Sequence, residues 1–200
     1  MARILSLCFI ILVGCANPMN QKTAQKYHEW GTMAEKNGDL NLAKQNYSRA
    51  LISARMAHSP KSGISMATYN LGRVTGYLCD YAESEKLLLE SLFLEEETTG
   101  PGSGLTSMRL FELARLYFDQ GFFQKSIPYF RRGISNVEAL GIENSDPIGF
   151  SNLLADFARA LTENHQIDQA KLFEKRIRDI HDQNYGKQAG FKPTRYNTYC

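Results

Sequence analysis

Small and apolar residues recur along the chain at nearly regular intervals. Small residues stand at four positions separated by 41, 42 and 44 residues: Gly31, Gly72, Ala114 and Ala158. A large apolar residue comes one position before each of them: Trp30, Leu71, Leu113 and Phe157. Seven residues after each small residue comes a position suited to a turn: Gly38, Cys79, Gly121 and His165. The pattern predicts four similar units, each with a helix that ends at the turn position.

The second half of each unit repeats as well. Twelve residues after the first small residue another one follows: Ala43, Ser84, Ser126 and Ala170. In the first three units a large residue comes sixteen positions after the first small residue: Tyr47, Leu88 and Phe130. Another small residue comes nineteen positions after it: Ala50, Ser91 and Gly133. Small residues on consecutive helices let the two backbones approach, while large residues fill the space beside them. We therefore predict eight helices in four antiparallel pairs, and no sheet, because no segment alternates apolar and polar residues.

Three segments of the chain resemble the tetratricopeptide repeat (TPR): WGTMAEKNGDLNLAKQNYSRAL, LGRVTGYLCDYAESEKLLLESL and LARLYFDQGFFQKSIPYFRRGI. The long period, with GPGSGLTS and LGIENSDPIGFS before the third and fourth units, is similar to the repeats of the kinesin light chain type. This resemblance implies an all-α fold, an α-α superhelix of about four TPR-like hairpins over residues 23–184. The fourth unit departs most and is interpreted as a cap. The alternative is four irregular hairpins without superhelical stacking.

The N-terminus has the pattern of a targeting segment. Arg3 is followed by a run from Ile4 to Val13 that is apolar except for Ser6. Ten helical residues rise only about 15 Å, half the thickness of the hydrocarbon core, so the run is too short to span a membrane. It fits the apolar region of a secretory signal.

Leu12, Val13, Gly14 and Cys15 resemble the lipobox of bacterial lipoproteins. This resemblance implies that residues 1–14 are a signal peptide, that Cys15 becomes the acylated N-terminus carrying chains such as palmitate, and that residues 15–22 are a tether. Ala16 follows the cysteine where the family's inner-membrane sorting signal has Asp, so the resemblance favours the outer membrane, facing the periplasm. The alternative is a buried N-terminal helix that contains a cysteine.

The composition argues against a nucleic-acid-binding protein and against a wholly disordered chain. The 200 residues include 23 Lys and Arg against 21 Asp and Glu, a net charge of +2, which gives no support for nucleic-acid binding. Hydrophobic residues make up 43% of the chain, enough to bury a core. Cys79 and Cys200 are the thiols that remain after the signal and Cys15 are set aside. They either pair in an oxidising compartment, or Cys79 simply fills space at its turn.

No constellation of catalytic or metal-binding residues is visible. The four histidines are scattered, and the chain has no His-x-x-x-His, Cys-x-x-Cys, phosphate-binding loop or Gly-x-Ser-x-Gly motif. The carboxylates of Glu95, Glu96 and Glu97 form a run, which is typical of a solvated helix face. We predict a protein that is not an enzyme and that uses no metal or cofactor.

A second helical stripe on the first helix of each unit carries arginines and aromatics. By resemblance to the repeat family this stripe lines the concave face, and its candidate partner-binding residues are Tyr69, Arg73, Tyr77, Phe111, Arg115, Phe118 and Arg159. Arginine and aromatic side chains contribute strongly to binding, so the groove would suit a segment with acidic and apolar residues. The alternative is that the aromatics pack against neighbouring helices and the arginines pair with acids such as Glu112. His28 and Thr32 stand where a chaperone-binding carboxylate clamp would need Lys and Asn.

The C-terminal tail, residues 185–200, mixes basic and aromatic residues with Gly and Pro. Three alternatives stay open for the tail: it folds back over the last repeat, it is disordered, or it becomes ordered on a partner.

The sequence as a whole predicts a lipid-anchored scaffold in the bacterial cell envelope. The expected partners are protein or peptide segments of an envelope complex, for example one that assembles a pilus or a secretion or export system. Two alternatives belong to other classes: a receptor for a small ligand or cell-wall fragment, and an envelope hydrolase.

Overall fold

Eight α-helices follow one another in the computed structural model, which describes residues 18–190 and 192–200. Their bounds are α1 Pro18–Lys36, α2 Leu40–Met56, α3 Lys61–Tyr77, α4 Tyr81–Thr99, α5 Gly104–Asp119, α6 Phe123–Ala139, α7 Pro147–Glu163 and α8 Ile167–Gln183. Short 3-10 turns lie at Ile142–Asn144 and Tyr196–Thr198. The two described ranges contain no strand.

The helices pair in chain order into four antiparallel hairpins, α1 with α2, α3 with α4, α5 with α6, and α7 with α8. Each hairpin packs on the next through its second helix, so α2 contacts α3, α4 contacts α5, and α6 contacts α7. The predicted α-α superhelix of four TPR-like hairpins is confirmed, and the alternative of irregular, unstacked hairpins is excluded.

The first helix of every hairpin ends two residues before the predicted turn position, which lies in the left-handed backbone region. The four residues there have φ between +60° and +79°: Gly38, Cys79, Gly121 and His165. The next amide closes each turn on a carbonyl of the helix, as in Asp80 N–H to Thr75 O at 3.2 Å and Phe122 N–H to Tyr117 O at 2.9 Å. A side chain in this region costs roughly 1–2 kcal/mol, which Gly38 and Gly121 avoid and Cys79 does not.

The recurring small residues lie where paired helices touch. The residues twelve after the first small one are at most 1% exposed: Ala43, Ser84, Ser126 and Ala170. A methyl group on Gly31 would come within 2.6 Å of the Tyr47 ring, so only glycine permits this crossing. Trp30 is the exception among the large residues, with 42% of its surface exposed, whereas Leu71, Leu113 and Phe157 are buried.

The run of glutamates at the end of α4 is not a solvated face throughout. Glu95 is buried, and its carboxylate pairs with the buried guanidinium of Arg109 on α5 at 3.1 Å. The hydroxyl of Ser65 on α3 donates to the same carboxylate at 2.8 Å. Only Glu96 and Glu97 keep surface positions, where they pair with Arg132 and Lys61. The expectation of a solvated run is therefore wrong for Glu95, because its partners lie on two other helices.

Helix α1 begins inside the segment predicted as a tether. Cys15 and the signal peptide, residues 1–14, lie outside the described residues, but α1 starts at Pro18. The part of segment 15–22 that the structure describes is therefore helical, and it extends the first repeat. Proline is well suited to the first turn of a helix, where its missing N–H needs no partner. None of the helices in the described ranges is long and apolar enough to cross a membrane.

Candidate functional site

The C-terminal tail folds back across the face formed by α3, α5 and α7. We call this surface the inner face and define it by ten residues: Tyr69, Arg73, Tyr77, Phe111, Glu112, Arg115, Phe118, Asp119, Asp156 and Arg159. The amide of Gly190 donates to Asp146 at the start of α7 at 3.1 Å. Further along, Tyr196 contacts α3 and α5. Of the three alternatives left open for the tail, the structure shows folding back, but the tail extends beyond the last repeat and reaches α3 and α5.

Tyr196 is the residue by which the tail enters the core. Its side chain is completely buried, and its ring centroid lies 4.9 Å from that of Tyr77. The hydroxyl donates to Glu112 Oε1 at 2.7 Å, and the backbone N–H donates to Asp119 Oδ2 at 2.8 Å. A methyl group on Gly76 would overlap the Tyr196 ring, so glycine opens the space that the ring fills. Burial raises the pKa of Tyr196, which therefore stays a hydrogen-bond donor at neutral pH.

Glu112 is the central acceptor of the inner face. Its second oxygen accepts from the Tyr69 hydroxyl and from Arg115, each at 3.1 Å. Burial alone would raise the pKa of Glu112, but the guanidinium groups of Arg115 and Arg73 and the hydroxyls of Tyr196 and Tyr69 outweigh it and lower the pKa. The buried carboxylate is therefore charged at neutral pH and holds donors from two helices and the tail together.

Two further carboxylates hold Arg195, the residue before the buried tyrosine. Its guanidinium lies 2.5 Å from Asp119 on α5 and 2.5 Å from Asp156 on α7, and over the ring of Phe118 at 5.1 Å. Burial raises the pKa of Asp119 despite the opposing effects of the Tyr196 amide and of Arg195. The Asp119 carboxylate therefore depends on the cation that the tail supplies.

A disulfide fixes the end of the tail to the second repeat. Cys200 is bonded to Cys79, the residue in the left-handed turn between α3 and α4, and their Cα atoms are 5.8 Å apart. Both residues are exposed. Of the two alternatives for Cys79, pairing is therefore the one that the structure shows, and an exposed Cys79 does not fill interior space.

The candidate groove residues lie on the inner face, but two of the three arginines are already paired. Arg73 binds both carboxylate oxygens of Glu35 on α1, at 2.9 and 3.0 Å, and Arg115 binds Glu112. This pairing of the arginines with acids is what the alternative interpretation of the stripe predicts. Arg159 is exposed and lies over the ring of Phe118 at 5.6 Å. Two of the three arginines of the predicted groove are therefore not free to bind acidic groups of a partner.

The aromatic members of the set are divided between the core and the tail. Tyr69 and Phe118 are buried among the helices, and Tyr77 is covered by Tyr196. Phe111 lies against Gly133 of α6, where a methyl group would overlap its ring. Sequence reasoning missed Asp156 and Tyr196 as members of the site. The only sequence signal for Tyr196 was the basic and aromatic composition of the tail, and Asp156, which lies on α7, had none.

A cavity of about 610 Å³ lies between the tail and the last two hairpins. Its lining combines apolar side chains with polar ones: Phe111, Phe130, Leu153, Arg115, Asn152 and Lys192. In residues 18–190 and 192–200 no three His, Cys, Asp or Glu side chains come together as a metal site would need.

Stacked two-helix units with small residues at every helix crossing define a TPR-like helical-repeat protein. Among solved structures the chain is similar to BtubC (BKLC) from P. vanneervenii, with a TM-score of 0.76 and 16% identity over 86% of this chain and 68% of that one. It is also similar to a Podosopora anserina kinesin light chain protein with nearly identical TPR-like repeats, with a TM-score of 0.65 and 17% identity over 82% of this chain and 77% of that one. At these identities the likeness shows the fold alone. No protein-family profile and no curated protein sequence matches the chain.

Proposed function

We propose that this protein is a lipid-anchored scaffold of the bacterial cell envelope that binds protein segments on its inner face. One observation carries the proposal: the inner face already holds a segment of polypeptide, the chain's own tail, by a buried tyrosine and a doubly paired arginine. Helical-repeat superhelices present extended surfaces of this kind for binding. A face that holds one such segment has the shape and the polar groups to hold another.

The proposed anchor places this face close to the membrane. Helix α1 begins three residues after Cys15, the residue proposed to carry the lipid. Two or more acyl chains give stable anchoring, and confinement near the surface raises the effective concentration for partners there. Envelope complexes such as pilus, secretion or export assemblies are the proposed setting.

Acylation at Cys15 is tested by Cys15→Ala. Because the acyl chains would be the only link to the bilayer, this variant is expected to lose labelling by radioactive palmitate and to leave the membrane fraction. Cys8→Ala, which changes a cysteine inside the proposed signal peptide, is the matched control and should keep both properties. Labelling and membrane fractionation of Cys15→Ala at wild-type levels would exclude the lipobox assignment.

Partner binding on the inner face is tested by photocrosslinking in cells. A photoreactive phenylalanine analogue replaces Arg159, which is exposed on the inner face, or Leu172, which is 70% exposed on α8 and serves as the control. Position 159 is expected to give discrete crosslinked envelope proteins, in larger amounts when Cys200→Ser frees the end of the tail. Crosslinks that are identical at both positions, or absent at 159 in both backgrounds, would contradict the proposal.

The cavity of about 610 Å³ favours a second candidate function, a receptor for a small ligand or cell-wall fragment. Its volume lies within the range of small-molecule sites, and its lining combines aromatic and cationic groups. Mass spectrometry of small molecules released from protein purified from its native host tests this function, with Leu153→Trp, which narrows the cavity, as the comparison. A compound lost from that variant would support a receptor.

A further inference from the structure

The part of the inner face that holds Arg195 and Tyr196 is acidic, contrary to the expectation of a groove for acidic segments. Two of the three arginines of the face are paired within the protein, Arg73 with Glu35 and Arg115 with Glu112, and the third, Arg159, is exposed. The groups that meet the tail are carboxylates of Asp119, Asp156 and Glu112. These carboxylates lie in or beside the core, where a charge without a partner is costly. The face is therefore built to receive a cation and hydrogen-bond donors.

We propose that this site recognises protein segments in which arginine is followed by tyrosine, and that Arg195 and Tyr196 of the chain itself occupy it as an intramolecular competitor. The inference rests on the proposed function, because it names the chemistry of the partner segment that the inner face binds. The occupant is a segment of another protein, and its binding replaces the tail contact by contact.

The geometry explains why both residues of the pair are required. One guanidinium reaches Asp119 and Asp156 on two different helices, a planar arrangement of donors that the single ammonium of lysine does not provide. The ring of Tyr196 fills the space beside Gly76, and its hydroxyl satisfies Glu112. A phenylalanine in place of the tyrosine would leave the buried Glu112 carboxylate without one of its hydrogen-bond donors. A buried acceptor that loses its donor discriminates strongly between ligands.

The disulfide controls whether a partner segment can reach the site that Arg195 and Tyr196 occupy. While Cys79 and Cys200 are bonded, the tail cannot diffuse away, and a partner segment competes with a permanently attached ligand. Both cysteines are exposed, so a dithiol can attack the bond. In that exchange the dithiol is oxidised to a disulfide, and Cys79 and Cys200 are reduced to two thiols. The reduced tail still competes, at an effective concentration of roughly millimolar.

The test measures binding of a fluorescent peptide, KPTRYNTY, which copies residues 192–199. Its control peptide has alanine in place of the arginine and the first tyrosine. Three forms of the full chain are titrated: oxidised wild type, wild type in dithiothreitol, and a variant with Arg195→Ala, Tyr196→Ala and Cys200→Ser. In the variant the tail is present but lacks its contacts, and circular dichroism checks that the helices are intact.

We expect the variant to bind KPTRYNTY with a dissociation constant on the order of 10 μM. Reduced wild type should bind about 100-fold more weakly, because the tail competes, and oxidised wild type should not bind measurably. Adding Asp119→Asn and Asp156→Asn to the variant should abolish binding, whereas Arg131→Ala on the outer surface should not. The crosslinked partner segments from position 159 should contain an arginine–tyrosine pair.

Three results of the peptide titration would overturn the inference: a folded variant that does not bind the peptide, equal binding of the control peptide, or equal binding by oxidised wild type. A dimer of the reduced chain on gel filtration, lost with Tyr196→Ala, would also overturn it by showing that the occupant is the tail of a second copy. If the peptide fails while position 159 still crosslinks envelope proteins, the proposed function stands and only the recognition rule is lost.

Discussion

Replacing Arg109 with alanine is expected to lower the free energy of unfolding by about 3–5 kcal/mol. The Arg109 side chain is fully buried, and it joins α5 to α4 through Glu95 at 3.1 Å and the Ser91 hydroxyl at 3.0 Å. Its guanidinium also lies 4.0 Å from the centroid of the Tyr69 ring. Without it, the buried Glu95 carboxylate would lose its cationic partner. Urea denaturation followed by circular dichroism measures the loss.

Two controls separate a buried ion pair from a general effect of losing arginine. Changing both partners, by Arg109→Met with Glu95→Leu, should restore most of the stability, because no charge is then left unpaired. Arg55→Ala removes an exposed pair, Arg55 with Glu90 at 2.6 Å, and should cost less than about 1 kcal/mol. A loss below about 1 kcal/mol for Arg109→Ala would show that the charge of Glu95 is not buried as the structure has it.

The second large effect is expected from Cys200→Ser. The disulfide joins residues 121 positions apart, so its loss gives the unfolded chain much conformational freedom. The chain-entropy relation puts the loss near 5 kcal/mol, and native disulfides commonly contribute about 2–5 kcal/mol. We expect the free energy of unfolding to fall by about 3–5 kcal/mol relative to oxidised wild type, as measured by urea denaturation.

Reductant provides the matched comparison for this variant. Dithiothreitol should lower the stability of wild type to that of Cys200→Ser and should leave the variant itself unchanged. If wild type is equally stable with and without reductant, the tail is not covalently attached to Cys79.

The repeat architecture could be predicted from sequence because its causes are local. Each helix hairpin needs a residue that tolerates a left-handed turn and small residues where the helices cross, and both requirements recur at fixed offsets. Gly38 and Gly121 satisfy the first requirement, and Ala43 and Ser84 are fully buried as the second requires.

The inner face and the buried Glu95–Arg109 pair were harder to predict because their contacts are long-range. Glu95 looks like its two neighbours in sequence, and only Ser65 and Arg109, on other helices, make it a core residue. Arg195 meets Asp119, 76 positions earlier, and no periodic signal links them. The pairing of Arg115 was easier to predict from sequence, since Glu112 precedes it by three residues and lies one helix turn away.

The central claim, that the tail is seated on the inner face, is tested most directly by amide hydrogen exchange of residues 194–199 in the oxidised protein. The Tyr196 amide donates to Asp119, and its side chain is fully buried, so we expect exchange in this segment to be slowed by at least about 100-fold relative to an unstructured peptide. Tyr196→Ala, with the disulfide intact, should remove that protection. Exchange at the unstructured rate in oxidised wild type would contradict the claim.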